Sequence, residues 1–237
     1  MKKEPIQRDT LISADENRDM FDRIAANYDR ANRLLSFGRD KIWRQQAVEE
    51  LQPWDEGRYL DVGTGTGDLV AEILKQAPGA HIDGIDPSEK MLHIAKSKNL
   101  PDSVHFFPAD ATALPMEDET YDGIILGFCF RNIEQREKAL SEFFRVLKPG
   151  GRLVILEAVY PKNPIVRLGY NIYSALVPLI GKIWGEGSAY RYLMNSIKHF
   201  YTPGTLFLML HNTGFAFIKM DLKMFGTIVI FSAPRLK

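Results

Sequence analysis

The chain has 237 residues, 45% of them hydrophobic, with 30 basic side chains balancing 30 acidic ones. That length supports one α/β domain with additions and a sizeable core, and the charge balance excludes a whole-molecule field that would recruit nucleic acid. The single cysteine, Cys129, excludes an intramolecular disulfide and fits a reducing, cytoplasmic setting.

Residues 1–50 read as a mostly helical segment. Its start, MKKEPIQRDTLISADENRDMF, is charged and lacks the apolar core of a secretory signal. RYLDVG (58–63) is a buried-strand candidate, and DLVAEILKQA (68–77) has helical spacing. HIDGID (81–86) reads as strand and SEKMLHIAKSK (88–98) as a helix with Ser88 as N-cap. VHFFPAD (104–110) and YDGIILGF (121–128) are two further strands. QREKALSEFFRVL is helical, and KPGG ends it before the strand GRLVILEAV. This alternation predicts right-handed βαβ units, hence a parallel, doubly wound α/β sheet with helices on both faces. Residues 160–200, rich in Tyr and aliphatics, fall outside it. Their longest apolar stretch, NIYSALVPLIGKIWG, carries Pro178 and Lys182 and is too short to span a bilayer. A single domain is expected: a helical cap over 1–50, a core over 58–158, a helical lid over 160–200, and a closing helix and strands over 203–237.

YLDVGTGTGDL (59–69) places Gly63, Gly65 and Gly67 where the first strand turns into its helix, the position at which such sheets bind ligands. Glycines permit tight turning and let a ligand lie against bare backbone. The spacing is G-x-G-x-G. It fails the dinucleotide fingerprint, because the sixth residue is Asp68 counted from Gly63 and Val70 counted from Gly65. An acid at the helix start also suits a pyrophosphate poorly. An ordinary tight turn would explain the glycines alone. Asp86, at the next strand end, can accept both hydroxyls of an adenosine ribose, or simply cap the helix that follows. At the third strand end, Asp110 can accept from an adenine amino group while the Ala111 amide donates to a ring nitrogen. Taken alone, Asp110 would pass as a turn residue. Three such elements on three successive strands describe a pocket for an adenosine without a phosphate.

LDVGTGTGD, GIDPSEKML, DATALPMEDETYD and FRVLKPGG resemble the class I S-adenosylmethionine-dependent methyltransferases. More narrowly, MFDRIAANYDRANRLLSFGRDKIWR, FRNIEQREKAL, YRYLMNSIKHF and GTIVIF resemble the menaquinone and ubiquinone biosynthesis C-methyltransferases, over nearly the whole chain. The resemblance implies a Rossmann-like methyltransferase fold and S-adenosylmethionine as cofactor. It puts the Gly63–Gly67 loop and Thr66 around the methionine part, Asp61 at the ammonium, Asp86 at the ribose, and Asp110 with Ala111 at the adenine.

The same resemblance implies C-methylation of a reduced polyprenyl quinol, demethylmenaquinol foremost. The ubiquinone-pathway step and another aromatic acceptor are the alternatives within enzymes. A catalytically silent S-adenosylmethionine-binding subunit is the alternative outside them, and an intact Arg131 and loop argue against it. Only the reduced ring can pass charge from a deprotonated hydroxyl to its ortho carbon, so the protein must stabilise a phenolate. Arg131 matches the family's motif arginine and suits stabilisation better than proton abstraction; the alternative is an ion pair with an acid such as Glu134. Tyr28 is expected to bind the acceptor or cover the cofactor, and Asn132 to fix the Arg131 loop. His199 is the best-placed histidine for a base, although a lone histidine beside Phe200 reads more readily as packed or surface. Tyr170, Tyr173, Tyr190 and Tyr192 read as packing residues, and no metal-ligand cluster stands out. Phe130, Gly127, the segment SIKHFYTP and Phe231 depart from the family's pattern and are expected around the acceptor side. Residues 163–184 combine aliphatics, Tyr170, Tyr173 and Trp184 with Arg167 and Lys182: an interfacial element, or a lid packed over the substrate tunnel or a dimer contact. Expected partners are a polyprenyl quinol, a peripheral membrane contact and a second copy in a homodimer, with no nucleic acid.

Overall fold

The computed structural model describes residues 12–183 and 187–236, and the side chains of all of these except 179–183. The opening MKKEPIQRDTL, Trp184 and the Lys182 side chain therefore lie outside the described residues. The N-terminal segment is helical as expected: α1 (Ala14–Ile24), α2 (Tyr28–Leu35) and α3 (Asp40–Leu51). Ser13 and Glu16 start α1 with a reciprocal capping box, each side chain bonding the other's backbone N–H.

The core then alternates β1 (Arg58–Val62), α4 (Asp68–Gln76), β2 (His81–Ile85), α5 (Glu89–Lys96), β3 (Val104–Phe107), β4 (Tyr121–Gly127), α6 (Arg136–Val146) and β5 (Leu147–Ala158). Ser88 caps α5, its hydroxyl accepting from the Met91 N–H at 3.1 Å. After β5 come α7 (Pro164–Ile183), α8 (Gly187–Lys198), α9 (Pro203–Thr213), β6 (Lys219–Lys223) and β7 (Ile228–Pro234).

The seven strands stand in the order β3-β2-β1-β4-β5-β7-β6. β1 to β5 are parallel, whereas β7 runs antiparallel to both β5 and β6. The all-parallel expectation thus holds for five strands only. Four residues separate β6 from β7, enough for a hairpin and far too few for a crossover.

Strand alternation sorts the apolar side chains onto two faces. Leu60, Val62, Ile124, Leu126, Leu153 and Ile155 pack with α6 and α9. Tyr59, Ile125, Val154 and Leu156 pack with α3 and α4. A third cluster joins α7 and α8 to α2 through Ala31, Val177, Tyr190, Met194 and Ile197.

Two boundaries differ from the sequence reading. VHFFPAD stops being strand at Phe107, since Pro108 cannot donate to the ladder, and Asp110 sits in a loop. KPGG does not separate helix from strand: β5 starts at Leu147 and contains it. The β4–β5 register slips between Tyr121 and Gly123, so the extra residues form a bulge. A Cβ at Gly151 would lie 2.9 Å from the carbonyl oxygens of Asp122 and Lys148, which is why a glycine stands there.

Candidate functional site

β1 and β4 lie side by side where the strand order reverses, and beyond their C-terminal ends a cavity of about 500 Å³ opens. Gly63, Gly65, Asp86, Asp110, Ala111 and Asn132 are in its wall. Gly63 has a positive φ of 67°, and a Cβ there would stand 2.7 Å from the Cys129 Cβ and Sγ, so no side chain fits. Gly65 has a φ of 54°, and a Cβ there would come into contact with the Tyr28 ring at 3.9 Å, on the cavity side.

Asp61, at the end of β1, is fully buried. Its Oδ2 accepts from the Thr64 hydroxyl at 2.7 Å, but its Oδ1 has no partner. Burial pushes its carboxyl up to about 7, with the Thr64 bond opposing and the nearby Asp86 charge adding to the rise. A buried carboxylate oxygen without a donor is matched by a cationic ligand. Asp86 accepts from the Gly65 N–H at 2.9 Å and the Ser88 N–H at 2.8 Å, and burial raises its carboxyl to about 6. Each oxygen keeps acceptor capacity toward the cavity. The exposed Asp110 is oriented by Thr112, whose N–H and hydroxyl donate to it at 2.8 and 2.9 Å. These residues fit an adenosine with a cationic amino-acid arm. Asp61, Thr66 and Gly67 are not in the cavity wall, Asp61 lying one residue before Val62, which is. The Thr66 hydroxyl donates to Asp29 Oδ1 at 2.7 Å, tying the loop to α2, and Gly67 caps α4 with a φ of 82°.

A second cavity, of about 510 Å³, adjoins the first. Phe21, Tyr28 and Phe128 border both and form the partition between them. The walls are mainly apolar and aromatic, from α1 to α3, α7, α8 and the turn before β7. Phe128 holds the partition in a left-handed backbone conformation, φ 60°, between the edge of Trp43 and the Arg44 guanidinium 5.7 Å from its ring centre. A phenylalanine pays a conformational cost there, a pattern that concentrates at functional sites. Tyr28 is half-buried and borders both cavities. Burial raises its phenol, against the charges of Arg44 and Arg131.

Arg131, on the single turn Phe130–Asn132 after β4, is buried and lines this second cavity. Its Nη1 donates to Glu157 Oε1 at 2.7 Å and to the Phe128 carbonyl, and its Nε to the Ser196 hydroxyl at 3.3 Å. The Arg131 backbone N–H donates to the other Glu157 oxygen at 3.0 Å. Nη2 takes part in none of these bonds. Burial alone would weaken the guanidinium's charge, but Glu157 raises its pKa above the ordinary value, so it stays ionised. The acid paired with Arg131 is therefore Glu157 and not Glu134, which lies at the first cavity. Asn132 accepts from the Tyr192 hydroxyl at 3.3 Å, and Asn17 donates to that same hydroxyl at 3.3 Å. His199, just past the end of α8, is exposed, its Nδ1 2.9 Å from the Asn195 carbonyl in that helix's last turn, and lines neither cavity.

The family departures distribute unevenly. Phe130 and Phe231 are fully buried in the core against the sheet, not at the acceptor side as expected, because Phe231 points inward from β7 and Phe130 packs beneath its turn. Gly127 borders the first cavity. Within SIKHFYTP, Ser196 reaches Arg131 and Ile197 lines the second cavity.

Sequence reasoning missed Glu157, whose only signal was an acid closing an otherwise apolar strand. It also missed the charges that fasten the cap. Asp22 accepts from the Ser88 hydroxyl at 2.6 Å, and Asp40 accepts from Arg44 at 2.6 Å and Arg33 at 3.0 Å. Lys98 reaches Asp68 at 2.8 Å and Asp29 at 3.8 Å.

The model of the ubiE/COQ5 methyltransferase family matches residues 10–235. A ubiquinone/menaquinone biosynthesis C-methyltransferase UbiE of Syntrophotalea carbinolica is 42% identical over 223 residues, 93% of this chain and 94% of that protein. A demethylmenaquinone methyltransferase of Thermus thermophilus is 42% identical over 220 residues, covering 91% of this chain and 100% of that one. In fold, the chain is similar to an S-adenosylmethionine-dependent methyltransferase from Thermotoga maritima, with a TM-score of 0.65 at 22% identity over 92% of this chain and 99% of that one. It is also similar to the Haemonchus contortus phosphoethanolamine N-methyltransferase 2 in complex with S-adenosyl-L-methionine, with a TM-score of 0.67 at 17% identity over 96% and 61% of the two chains. The sheet is thus the class I methyltransferase sheet.

Proposed function

The chain belongs to the ubiE/COQ5 methyltransferase family and is an S-adenosylmethionine-dependent C-methyltransferase of quinone biosynthesis; from that premise we propose that it converts demethylmenaquinol to menaquinol. One observation carries the choice of a reduced aromatic ring: an apolar cavity with a buried, ionised arginine in its wall, parted from the cofactor cavity only by Phe21, Tyr28 and Phe128.

In this reading the unpartnered Asp61 oxygen meets the cofactor's ammonium, and the bare backbone at Gly63 and Gly65 lies along its amino-acid arm. Asp86 takes the ribose hydroxyls, and Asp110 and Ala111 the adenine. Thr66 and Gly67 act through the loop's shape. Bound S-adenosylmethionine supplies an electrophilic methyl group. The residues of this chain prepare the other partner. Nη2 of Arg131 faces the oxygen of the ionised quinol and favours the phenolate, which makes the ortho carbon nucleophilic. Arg131 remains charged and so is no base; the hydroxyl proton leaves to water or another side chain, and after methyl transfer the methylated ring carbon loses its own proton by the same route, restoring the aromatic ring as the oxygen is reprotonated. Tyr28 and Phe128 aim the ring across the partition, and Asn132, held by Tyr192, fixes the turn that carries Arg131. The apolar walls exclude water from the reacting atoms.

A polyprenyl tail keeps this acceptor in lipid, so the reading includes a peripheral contact with the inner, cytoplasmic face of the membrane. Ile165, Leu168, Ile172 and Leu176 form an exposed apolar stripe at helical spacing along α7. Phe37 and Phe225, 76% and 81% exposed, stand at the rim of the acceptor cavity. A second copy seated on the same stripe, giving a homodimer, is the competing occupant.

The test is incubation with labelled S-adenosylmethionine and a panel of demethylated quinones, each reduced and oxidised, with products identified by mass. Reduced demethylnaphthoquinols should gain one methyl on carbon, and the oxidised forms none. Label passing only to a benzoquinol would move the assignment to the ubiquinone step, and label passing to none would overturn it.

A further inference from the structure

Among the described residues two buried side-chain polar atoms have no hydrogen-bond partner: Asp61 Oδ1 and the hydroxyl of Tyr170. The first is on β1, directly before Val62 and Gly63 of the cofactor cavity's wall. The second is on α7, and the Tyr170 ring lines the acceptor cavity. Leaving a phenol hydroxyl buried and unbonded is costly, so native proteins rarely do it without a use.

Neighbouring tyrosines are all engaged. Tyr173 donates to the Leu35 carbonyl at 2.8 Å, Tyr192 to Asn132 at 3.3 Å, and Tyr160 to Asn171 at 2.9 Å. Tyr170 is held by its ring instead. Tyr160 packs edge-on against it at 5.4 Å between centroids, and Arg167 sits 5.5 Å from the centre of the Tyr160 ring. The ring is thus fixed by contacts that leave its hydroxyl unused, and Arg131 is near enough for its charge to act on that hydroxyl.

We propose that Tyr170 is an acceptor-binding residue whose hydroxyl donates a hydrogen bond to a ring oxygen of the quinol. This rests on the reading above that a reduced quinol occupies the second cavity. The ring faces the cavity while its oxygen is covered, so the bond forms as the acceptor presses the apolar wall aside. Burial raises this phenol well above its ordinary value, so it stays a neutral donor throughout the working pH range. The Arg131–Glu157 pair is neutral as a unit, so a phenolate in this cavity gains from every further donor.

The test is Tyr170→Phe, assayed with a short-tailed, water-soluble demethylnaphthoquinol. kcat/KM should fall about tenfold or more, the value of one lost hydrogen bond to a charged group. The dissociation constant of the menaquinol product analogue should rise by a similar factor. Affinity for S-adenosylmethionine should not change, and the thermal midpoint of the free protein should stay or rise, because the variant removes an unsatisfied group. Unchanged kcat/KM in the variant beside an active wild type overturns the proposal. So does a loss of activity that comes with a lowered thermal midpoint, since that marks a structural role. A wild type inactive on every reduced quinol would instead overturn the assignment of the acceptor.

Discussion

Burial raises the carboxyls of Asp61 to about 7 and Asp86 to about 6, so both titrate close to neutrality in the free protein. In the unfolded chain a carboxyl ionises near 4. The cost of holding them ionised is therefore absent below about pH 4 and grows as the pH rises through the folded values. The free protein should lose stability between about pH 4 and about pH 7 on their account. A cationic amino-acid arm offsets that cost only once Asp61 is ionised. S-adenosylmethionine should bind more tightly at about pH 8 than at about pH 6, releasing a proton near about pH 6.5. Calorimetry in two buffers of different ionisation heat reads that proton. Asp61→Asn should abolish the release and weaken binding by roughly 1–3 kcal/mol; an affinity independent of pH would take Asp61 out of the site. At Arg131, substitution by alanine would leave Glu157 buried without its counter-charge, so Arg131→Lys is the more informative change. Lysine keeps the charge but cannot reach Glu157, Phe128 and Ser196 together. Single-turnover methylation should slow by roughly 100-fold while cofactor affinity holds. A rate close to wild type would make the fork geometry irrelevant to the chemistry.

α7 carries two apolar faces, which a linear reading does not tell apart. Its inner face, with Val166, Gly169, Tyr170 and Tyr173, walls the acceptor cavity, and its outer face carries Ile165, Leu168, Ile172 and Leu176. Periodicity alone shows that a helix has an apolar stripe but not which of two stripes turns inward, so the lid and the interfacial readings could not be separated in the sequence. Ile172→Ser with Leu176→Ser tests the outer face without touching the inner one. Sedimentation with anionic vesicles should fall, and turnover of a water-soluble quinol should be retained. If the wild type does not sediment and the double variant instead changes from dimer to monomer, the stripe belongs to a second copy. The glycine loop was legible because its function constrains the backbone: Gly63 and Gly65 admit no substitute where φ is positive and space is short or needed. Asp86 was legible because it directly follows β2, and Asp110 because it lies in the loop after β3. Thr66, expected at the cofactor, has its hydroxyl on Asp29 and lies outside the cavity wall, and a hydroxyl in such a loop looks the same in sequence whether it faces a ligand or an acid.

Across the molecule, the local order of strands and helices was readable, but the antiparallel return of β7 between β5 and β6 was not, since strand partners far apart in sequence leave no periodic mark. Glu157 was invisible for the same reason: 26 residues separate it from Arg131, and only the β4–β5 pairing brings them together. The sequence reading assigned the cap charges no role, yet Asp22, Asp29, Asp40 and Arg44 join α1, α2 and α3 to the loop, α4 and α5. The partition formed by Phe21, Tyr28 and Phe128 has a kinetic consequence. The cofactor cavity borders Asp15, Arg18, Glu134 and Gln135, a polar rim, whereas the acceptor cavity is rimmed by Phe37 and Phe225. Under the membrane contact proposed above, the two reactants would have separate doors, one to water and one to oil. Spent cofactor would then be exchanged without release from the bilayer, so that one molecule would work through many lipid acceptors in a single visit.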